Sequence, residues 1–220
     1  MVGETKQAVL GGEPFPKWLE IVESLETFYG QNGAEHKVDV FWRTLIVNTA
    51  GYPPRLVQNS RSLGASFAKW FRKTTSRVVD PARDRQDDNA WHALVNRFGK
   101  LLDERWDVRS CDAVSMSEYV TPLSMSQHLR LFRTANGYLG IGSECVQVGD
   151  LVWIVPGSRV PLLLRRVQLE LKKGQPRSNR HRLVGGAYLH GVMEGEAVSP
   201  SATGMTIEGI RGLMETFTLK

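Results

Sequence analysis

The chain has 220 residues, of which 41% are hydrophobic and 23% are charged, and its net charge is +5 at pH 7. This composition supports a folded core and excludes wholesale disorder, while the mild basic excess permits an anionic partner without requiring one. The sequence shows neither a signal peptide nor an apolar run long enough to cross a membrane, so we expect a cytoplasmic protein.

The first half of the chain has apolar residues at helical spacing. Glycine and proline breakers separate four apolar stripes, and a short fifth helix containing Pro122 is predicted within residues 117–128. We expect Asp88 or Asn89 to cap the fourth helix. The pattern predicts a flexible N-terminus over 1–14 and a helical lobe over 15–130. The stripes start at Trp18, Val38, Leu63 and Trp91.

From residue 131 the apolar pattern changes to the alternation typical of short strands. Asn136-Gly137 predicts a type I′ hairpin turn, and Gly185-Gly186 predicts a bulge in the last strand. Closely spaced antiparallel strands with tight turns favour a small, curved barrel over 131–196, followed by a tail over 197–220 with a short helix near its end. The predicted fold is therefore α+β, with the helical lobe packed on the barrel as one compact unit.

Four segments carry a resemblance to a known family. They resemble the region that follows the HET domain in fungal heterokaryon-incompatibility proteins, and they stand in the family's order across residues 38–197. The resemblance implies a fungal origin and an α+β fold. The segments are "FWRTLI" (41–46), "RLFRTANGYLGIG" (130–142), "VQVGDLVWIVPGSRVPLLLRRV" (146–167) and "LVGGAYLHGVMEGEA" (183–197).

The sequence departs from that family in one respect. The HET domain should lie upstream of these segments, and nothing in the first forty residues resembles it. We therefore expect either a C-terminal piece of a longer protein or a stand-alone relative. The resemblance does not transfer a death-inducing activity, because the implied effector is the HET domain.

Four polar residues are candidates for chemistry. His190 and Glu194 have a spacing that suits an imidazole base and a carboxylate that orients it, although they equally suit a strand end with solvated acids. Arg166 and His128 complete a hypothetical site in a pocket between the lobe and the barrel mouth. A structure that scatters these side chains over the outer surface would remove this hypothesis.

The arginine pair Arg165-Arg166 points to opposite faces of its predicted strand. One arginine therefore approaches the barrel interior or mouth, where it requires either a carboxylate partner or an anionic ligand. Glu144, Glu170 and Glu194 are the expected carboxylates.

Other features predict structure more strongly than function. Cys111 and Cys145 are expected to be free thiols. The histidines lack paired ligand spacing, so neither a metal nor a cofactor is expected. The basic run 172–182 lacks the interleaved aromatic residues that stack on bases, which makes nucleic acid an unexpected partner. Most of the tryptophans are expected in the core.

Two functions remain open from the sequence. The first is a ligand-binding or protein-binding regulatory module, whose partner is a small organic molecule or a protein, such as a HET-domain chain. The second is a stand-alone enzyme of fungal secondary metabolism, a cyclase, pericyclase or isomerase that works without metal or cofactor. Such an enzyme holds a reactive substrate in a shaped apolar pocket and leaves almost no sequence motif.

Overall fold

The structure is a computed structural model that describes residues 3–10, 15–26, 28–29, 35–51, 54–57, 60–78, 86–106, 114–167, 180–196, 206, 209, 212 and 217–219. It divides into two compact units. The helical unit is residues 11–128, and the barrel unit combines Met1–Leu10 with Leu129–Lys220. The predicted packing of lobe on barrel as one unit stays a prediction, and the predicted helix in the tail lies almost entirely outside the described residues.

The described residues form the predicted α+β fold. All five predicted helices of the lobe are confirmed, including the short one that contains Pro122. The fourth begins at Gln86, before Asp88 and Asn89, so the prediction that one of these two residues caps it is wrong. In chain order the elements are β1 (Gly3–Leu10), α1 (Phe15–Glu23), β2 (Phe28–Tyr29), β3 (Glu35–His36), α2 (Lys37–Leu45), β4 (Thr49–Ala50), β5 (Arg55–Leu56), α3 (Ser60–Val78), α4 (Gln86–Arg105), α5 (Ser117–Ser124), β6 (Arg130–Thr134), β7 (Leu139–Gly142), β8 (Leu151–Trp153), β9 (Leu162–Arg166), β10 (Arg180–Leu189) and β11 (Thr218–Leu219).

An aromatic cluster forms the core of the helical unit. Phe41 of α2 lies edge-on to Trp18, Phe67 and Phe98, with ring centroids between 5.6 and 6.2 Å apart. Each of these rings comes from a different helix, so the predicted stripes meet at Phe41. The fully buried Tyr119 donates a hydrogen bond to the carbonyl of Trp42, and burial raises the pKa of its hydroxyl well above the usual value. The expectation that tryptophans serve the core holds for Trp18 and Trp42, which are both buried.

A histidine caps the N-terminus of α2. Nδ1 of His36 accepts a hydrogen bond from the backbone N–H of Val38 at 3.3 Å, so this nitrogen must be unprotonated. Burial lowers the pKa of His36, the charges of Arg105 and Lys37 lower it further, and those of Asp39 and Glu104 oppose the shift. The unfolded chain therefore takes up this proton at a higher pH than the folded chain.

We expect the free energy of unfolding to fall as the pH falls below about 6.5, because there the unfolded state binds a proton that the folded His36 does not. Urea midpoints measured between about pH 7.5 and 5.5 test this. His36→Asn keeps a capping oxygen but does not titrate, so its midpoint should fall less over the same range. Equal falls in the two proteins would contradict the role of His36.

Six strands of the barrel unit form a ring of pairings. The order is β10-β7-β6-β1-β8-β9, and β9 pairs again with β10, which closes the ring; β11 is added outside it, next to β10. All pairs in the ring are antiparallel, whereas β10 and β11 are parallel. The small, curved barrel predicted from the sequence is therefore confirmed.

Two strands bridge the two sides of this barrel. β1 pairs with β8 through its first residues and with β6 through the rest. β10 pairs with β9 over residues 181–186, on both sides of its bulge, and with β7 over residues 187–189. The register shift between Leu183 and Gly185 confirms the predicted bulge, which lets one long strand bend around the barrel.

Strand β1 was not predicted. The sequence predicts a flexible N-terminus over 1–14, whereas residues 3–10 pair with two barrel strands. This part of the prediction is wrong. A segment as polar as "GETKQAVL" lacks the apolar alternation of a strand, and it is ordered by backbone hydrogen bonds to partners far along the chain.

The first barrel hairpin uses a different turn from the one predicted. Gly137 has a positive φ of 85°, but Asn136 is absent from the described residues with positive φ, so the turn is not type I′. The N–H of Gly137 donates to the carbonyl of Thr134, and the N–H of Thr134 donates to the carbonyl of Tyr138. The loop thus has three residues, with glycine in the left-handed position that closes it.

Gly140 is required by the packing inside the barrel. It lies between Phe132 and Leu189 on the neighbouring strands. A Cβ at this position would lie 2.5 Å from Cζ of Phe132 and 2.9 Å from Cδ1 of Leu189. We expect Gly140→Ala to lower the free energy of unfolding by about 1–3 kcal/mol through overpacking.

A second glycine provides the control. A Cβ at Gly99, inside α4, would have no neighbour within 4 Å, so Gly99→Ala should raise the free energy of unfolding by up to about 1 kcal/mol. Urea unfolding of both variants gives opposite signs if the close approach at Gly140 matters. A gain in stability for Gly140→Ala would contradict the packing described.

Candidate functional site

Asp150, which immediately precedes β8, and Arg165 of β9 form an ion pair. Nε and Nη2 of Arg165 donate to the two carboxylate oxygens of Asp150 at 2.7 and 2.8 Å. Because Leu151 pairs with Leu164, the next positions, 150 and 165, lie opposite each other. The carboxylate also accepts the backbone N–H of Gln147 at 2.8 Å. The hydrogen bonds to Asp150 raise the pKa of Arg165. Only 2% of the Asp150 side chain is exposed, against 33% of the Arg165 side chain.

Two arginines hold the loop of residues 143–150, which connects β7 to β8. Nη2 of Arg165 donates to the carbonyl of Cys145 at 2.8 Å. Nη1 of Arg130, on β6, donates to the carbonyl of Val146 at 2.7 Å. Charged donors make stronger hydrogen bonds than neutral ones, so this loop is fixed from two strands. The arrangement is that of a structural clamp.

This clamp corrects the predicted partner of the inward arginine. The sequence offered Glu144, Glu170 and Glu194, whereas the carboxylate that pairs with Arg165 is Asp150. Glu170 lies outside the described residues. The signal that could have found Asp150 is the hairpin register, since a strand pair that aligns residues 151 and 164 also aligns 150 and 165.

His190 makes a different contact from the one proposed. Its Nδ1 lies 2.8 Å from the hydroxyl of Tyr188, and both side chains are buried. Its backbone N–H donates to the carbonyl of Leu139, which extends the β10–β7 pairing by one residue. Glu194, the expected carboxylate partner, is exposed, and its backbone N–H donates to the carboxylate of Glu196. His190 is therefore held at the end of β10.

Arg166 and His190 lie near opposite ends of β10. Arg166 is exposed at the end of β9 and lies opposite His181 at the start of β10. His190 follows the last residue of that strand, nine positions after His181, and the bulge of β10 lies between them. His128 is exposed and belongs to the helical unit. The catalytic role of these residues and the pocket between lobe and barrel stay predictions.

A second apolar cluster lies on the outer face of β8 and β9. It contains Leu151, Trp153 and Leu164, and Phe217 packs against it. The ring of Trp153 lies 4.8 Å from that of Phe217 and 5.9 Å from that of the buried His181. His181 is therefore part of a packed aromatic cluster.

The described part of the chain gives no sign of a metal centre. No group of three or more histidine, cysteine, aspartate or glutamate residues there could hold a metal ion. Cys145 is an exposed free thiol, while Cys111 lies outside the described residues. Of the helices that are described, none is long and apolar enough to span a membrane. The residues described here offer a clamp and apolar clusters rather than an assembled catalytic group.

Comparison with known proteins identifies the architecture. The chain matches the Het-6 beta-barrel domain over residues 23–202, which is more than half of its length. The chain belongs to the Het-6 beta-barrel domain family. It is similar to "Heterokaryon incompatibility protein 6, OR allele" of Neurospora crassa, with 36% identity over 85 residues that cover 39% of this chain and 12% of the relative. No solved structure matches it.

The Het-6 barrel match confirms the resemblance derived from the sequence segments, and the structure shows what those segments do. "FWRTLI" supplies Phe41 to the aromatic core of the helical unit. "RLFRTANGYLGIG" is the hairpin of β6 and β7, and the third segment contains the clamp between Asp150 and Arg165. The most recognisable residues of this Het-6 barrel therefore have structural roles. The match covers 12% of the relative's length, so the activity of the whole relative is not transferred to this chain.

Proposed function

We propose that this Het-6 barrel chain is a non-catalytic binding and regulatory module of the heterokaryon-incompatibility type. Its partner in this proposal is a protein that carries a HET domain, and it acts in the cytoplasm. The observation that carries the proposal is that the buried Asp150 serves as a structural acceptor of hydrogen bonds. A catalytic carboxylate needs access to substrate, whereas this one is buried and its oxygens accept hydrogen bonds from Arg165 and Gln147.

The positions of the other polar candidates support the same proposal. Arg166 and Glu194 are exposed, and His190 is buried against Tyr188. Groups that act together on one substrate must lie within a few ångströms of it, and the places of Arg166 and His190 near opposite ends of β10 favour separate roles for them. The alternative of a cofactor-free cyclase, pericyclase or isomerase gains no specific support from these residues.

The proposal is tested by titrating the whole chain with a purified HET domain in a calorimeter, with light scattering to give the mass of any complex. We expect an equimolar complex with a Kd of about 10 µM or lower. His190→Ala should bind equally well, because this histidine is assigned to the barrel and not to the partner. An absence of heat and of complex at roughly tenfold higher concentrations would overturn the proposal.

A further inference from the structure

Two exposed leucines lie on the outer face of the last barrel strands. Leu183 of β10 is 50% exposed and Leu219 of β11 is 51% exposed. Leu183 pairs with Leu164, whose side chain belongs to the outer cluster, so Leu183 lies on that same face. Arg166 and Leu219 both pair with His181, two positions before Leu183, and so share this face. We call Arg166, Leu183 and Leu219 the β11 face.

The strands around the β11 face are strongly basic. β9, β10 and β11 contain four arginines and neither an aspartate nor a glutamate. One of the four, Arg165, is paired with Asp150. The other three are exposed. Arg166 lies on the β11 face, whereas Arg180 and Arg182 alternate with the residues of that face along β10 and so lie on the opposite one. A partner that covers this part of the barrel must therefore carry negative charge to avoid leaving cations unpaired.

The β11 face also ends at an edge of the described sheet. Among the described strands, β11 pairs with β10 alone. The second edge of an outermost strand offers backbone N–H and C=O groups that can pair with another extended segment. Addition of a strand to such an edge is a recurring mode of peptide recognition, in which backbone hydrogen bonds give affinity and alternate side chains give specificity.

We propose that the β11 face binds an extended acidic segment of a partner protein, in which glutamate or aspartate alternates with apolar residues. In a strand added at the edge of β11, successive side chains point to opposite faces. The apolar residues would therefore cover Leu183 and Leu219, and the acidic ones would lie on the opposite face, which carries Arg180 and Arg182. This inference rests on the proposed function and names the surface and the chemistry of the partner. A peptide is favoured over a nucleic acid because Tyr188 of β10 and Phe217, which precedes β11, are buried or half-buried and unavailable for base stacking.

The test uses the whole chain and a dye-labelled synthetic peptide of about ten residues in which glutamate and valine alternate, with fluorescence anisotropy as the readout. The variant is Arg180→Glu with Leu183→Ser, since Arg180 is exposed and pairs with Thr218 of β11. The helical unit offers a matched control in Arg55→Glu with Leu56→Ser, since Arg55 is exposed and Leu56 is 53% exposed. Both double variants change the net charge equally, so a general attraction between basic chain and acidic peptide weakens equally in both.

We expect the peptide to bind the unaltered chain with a Kd of roughly 10–100 µM, the first double variant to bind at least about tenfold more weakly, and the control to stay within about twofold. Circular dichroism melting establishes that both variants are folded. Equal losses in the two variants, or no binding by the unaltered chain, would overturn the proposal. Tighter binding of a single-stranded oligonucleotide, lost with the same variant, would overturn it in favour of nucleic acid.

A parallel titration with the HET domain separates this inference from the proposed function. If the HET domain binds the first double variant as well as it binds the unaltered chain, the module function stands and the β11 face is wrong. If the peptide binds as expected and the HET domain does not bind at all, the β11 face stands and the proposed partner is wrong.

Discussion

Replacing Asp150 by alanine should lower the free energy of unfolding of the barrel unit by about 3 kcal/mol. The substitution leaves the guanidinium of Arg165 and the backbone N–H of Gln147 without the acceptor that each has now. A buried ion pair costs most when only one partner is removed, because the remaining charge is left uncompensated. The partial exposure of Arg165 keeps the expected loss at the lower end of the usual range.

Urea unfolding followed by circular dichroism measures this loss. Arg165→Leu in the Asp150→Ala background should recover part of it, since the pair is then removed as a whole. The exposed pair of Arg97 and Glu23 provides a comparison, and Glu23→Gln should cost less than about 1 kcal/mol. A loss for Asp150→Ala no larger than that for Glu23→Gln would show that the clamp contributes little to stability.

Replacing Phe41 by alanine should lower the free energy of unfolding of the helical unit by about 3–5 kcal/mol. The ring is buried at the point where α1, α3 and α4 each supply an aromatic partner. Removal leaves a cavity lined by rigid rings that can collapse only in part. This loss is of the same order as the total stability of many domains, so the variant is expected to be partly unfolded without denaturant.

Tryptophan fluorescence reports this transition well, because five of the six tryptophans belong to the helical unit and Trp153 belongs to the barrel unit. Val120→Ala is the matched control, since Val120 lies on α5 with an exposed side chain. This control should change the free energy of unfolding by less than about 0.5 kcal/mol. Similar losses in the two variants would contradict the central position of Phe41.

Local patterns predicted most of the helical unit and the nature of the barrel. Apolar spacing located the helices because the buried face of each one must follow the helical period. The bulge at Gly185 was predictable from two adjacent glycines in a strand. The turn at Asn136-Gly137 was assigned to the wrong type, since the preference of that dipeptide for a two-residue loop yielded to the register of β6 and β7.

The features missed from the sequence are those that depend on distant pairings. β1 is placed by strands more than a hundred residues away, and nothing in its own residues reveals this. The partner of Arg165 is fixed by the register of β8 with β9, which local spacing does not determine. The candidate catalytic residues were chosen for their chemistry, whereas their places in the barrel follow from the pairing of β9 with β10, which puts Arg166 opposite the start of β10 and His190 just after its end.

Chemical-shift mapping of the isotope-labelled chain with a HET domain added tests the binding proposal most directly. We expect saturable shifts in backbone amides of β9, β10 and β11, with the loop clamped by Asp150 and Arg165 unchanged. An unchanged spectrum at a several-fold excess of HET domain would contradict the claim that this Het-6 barrel is a module for binding such a partner.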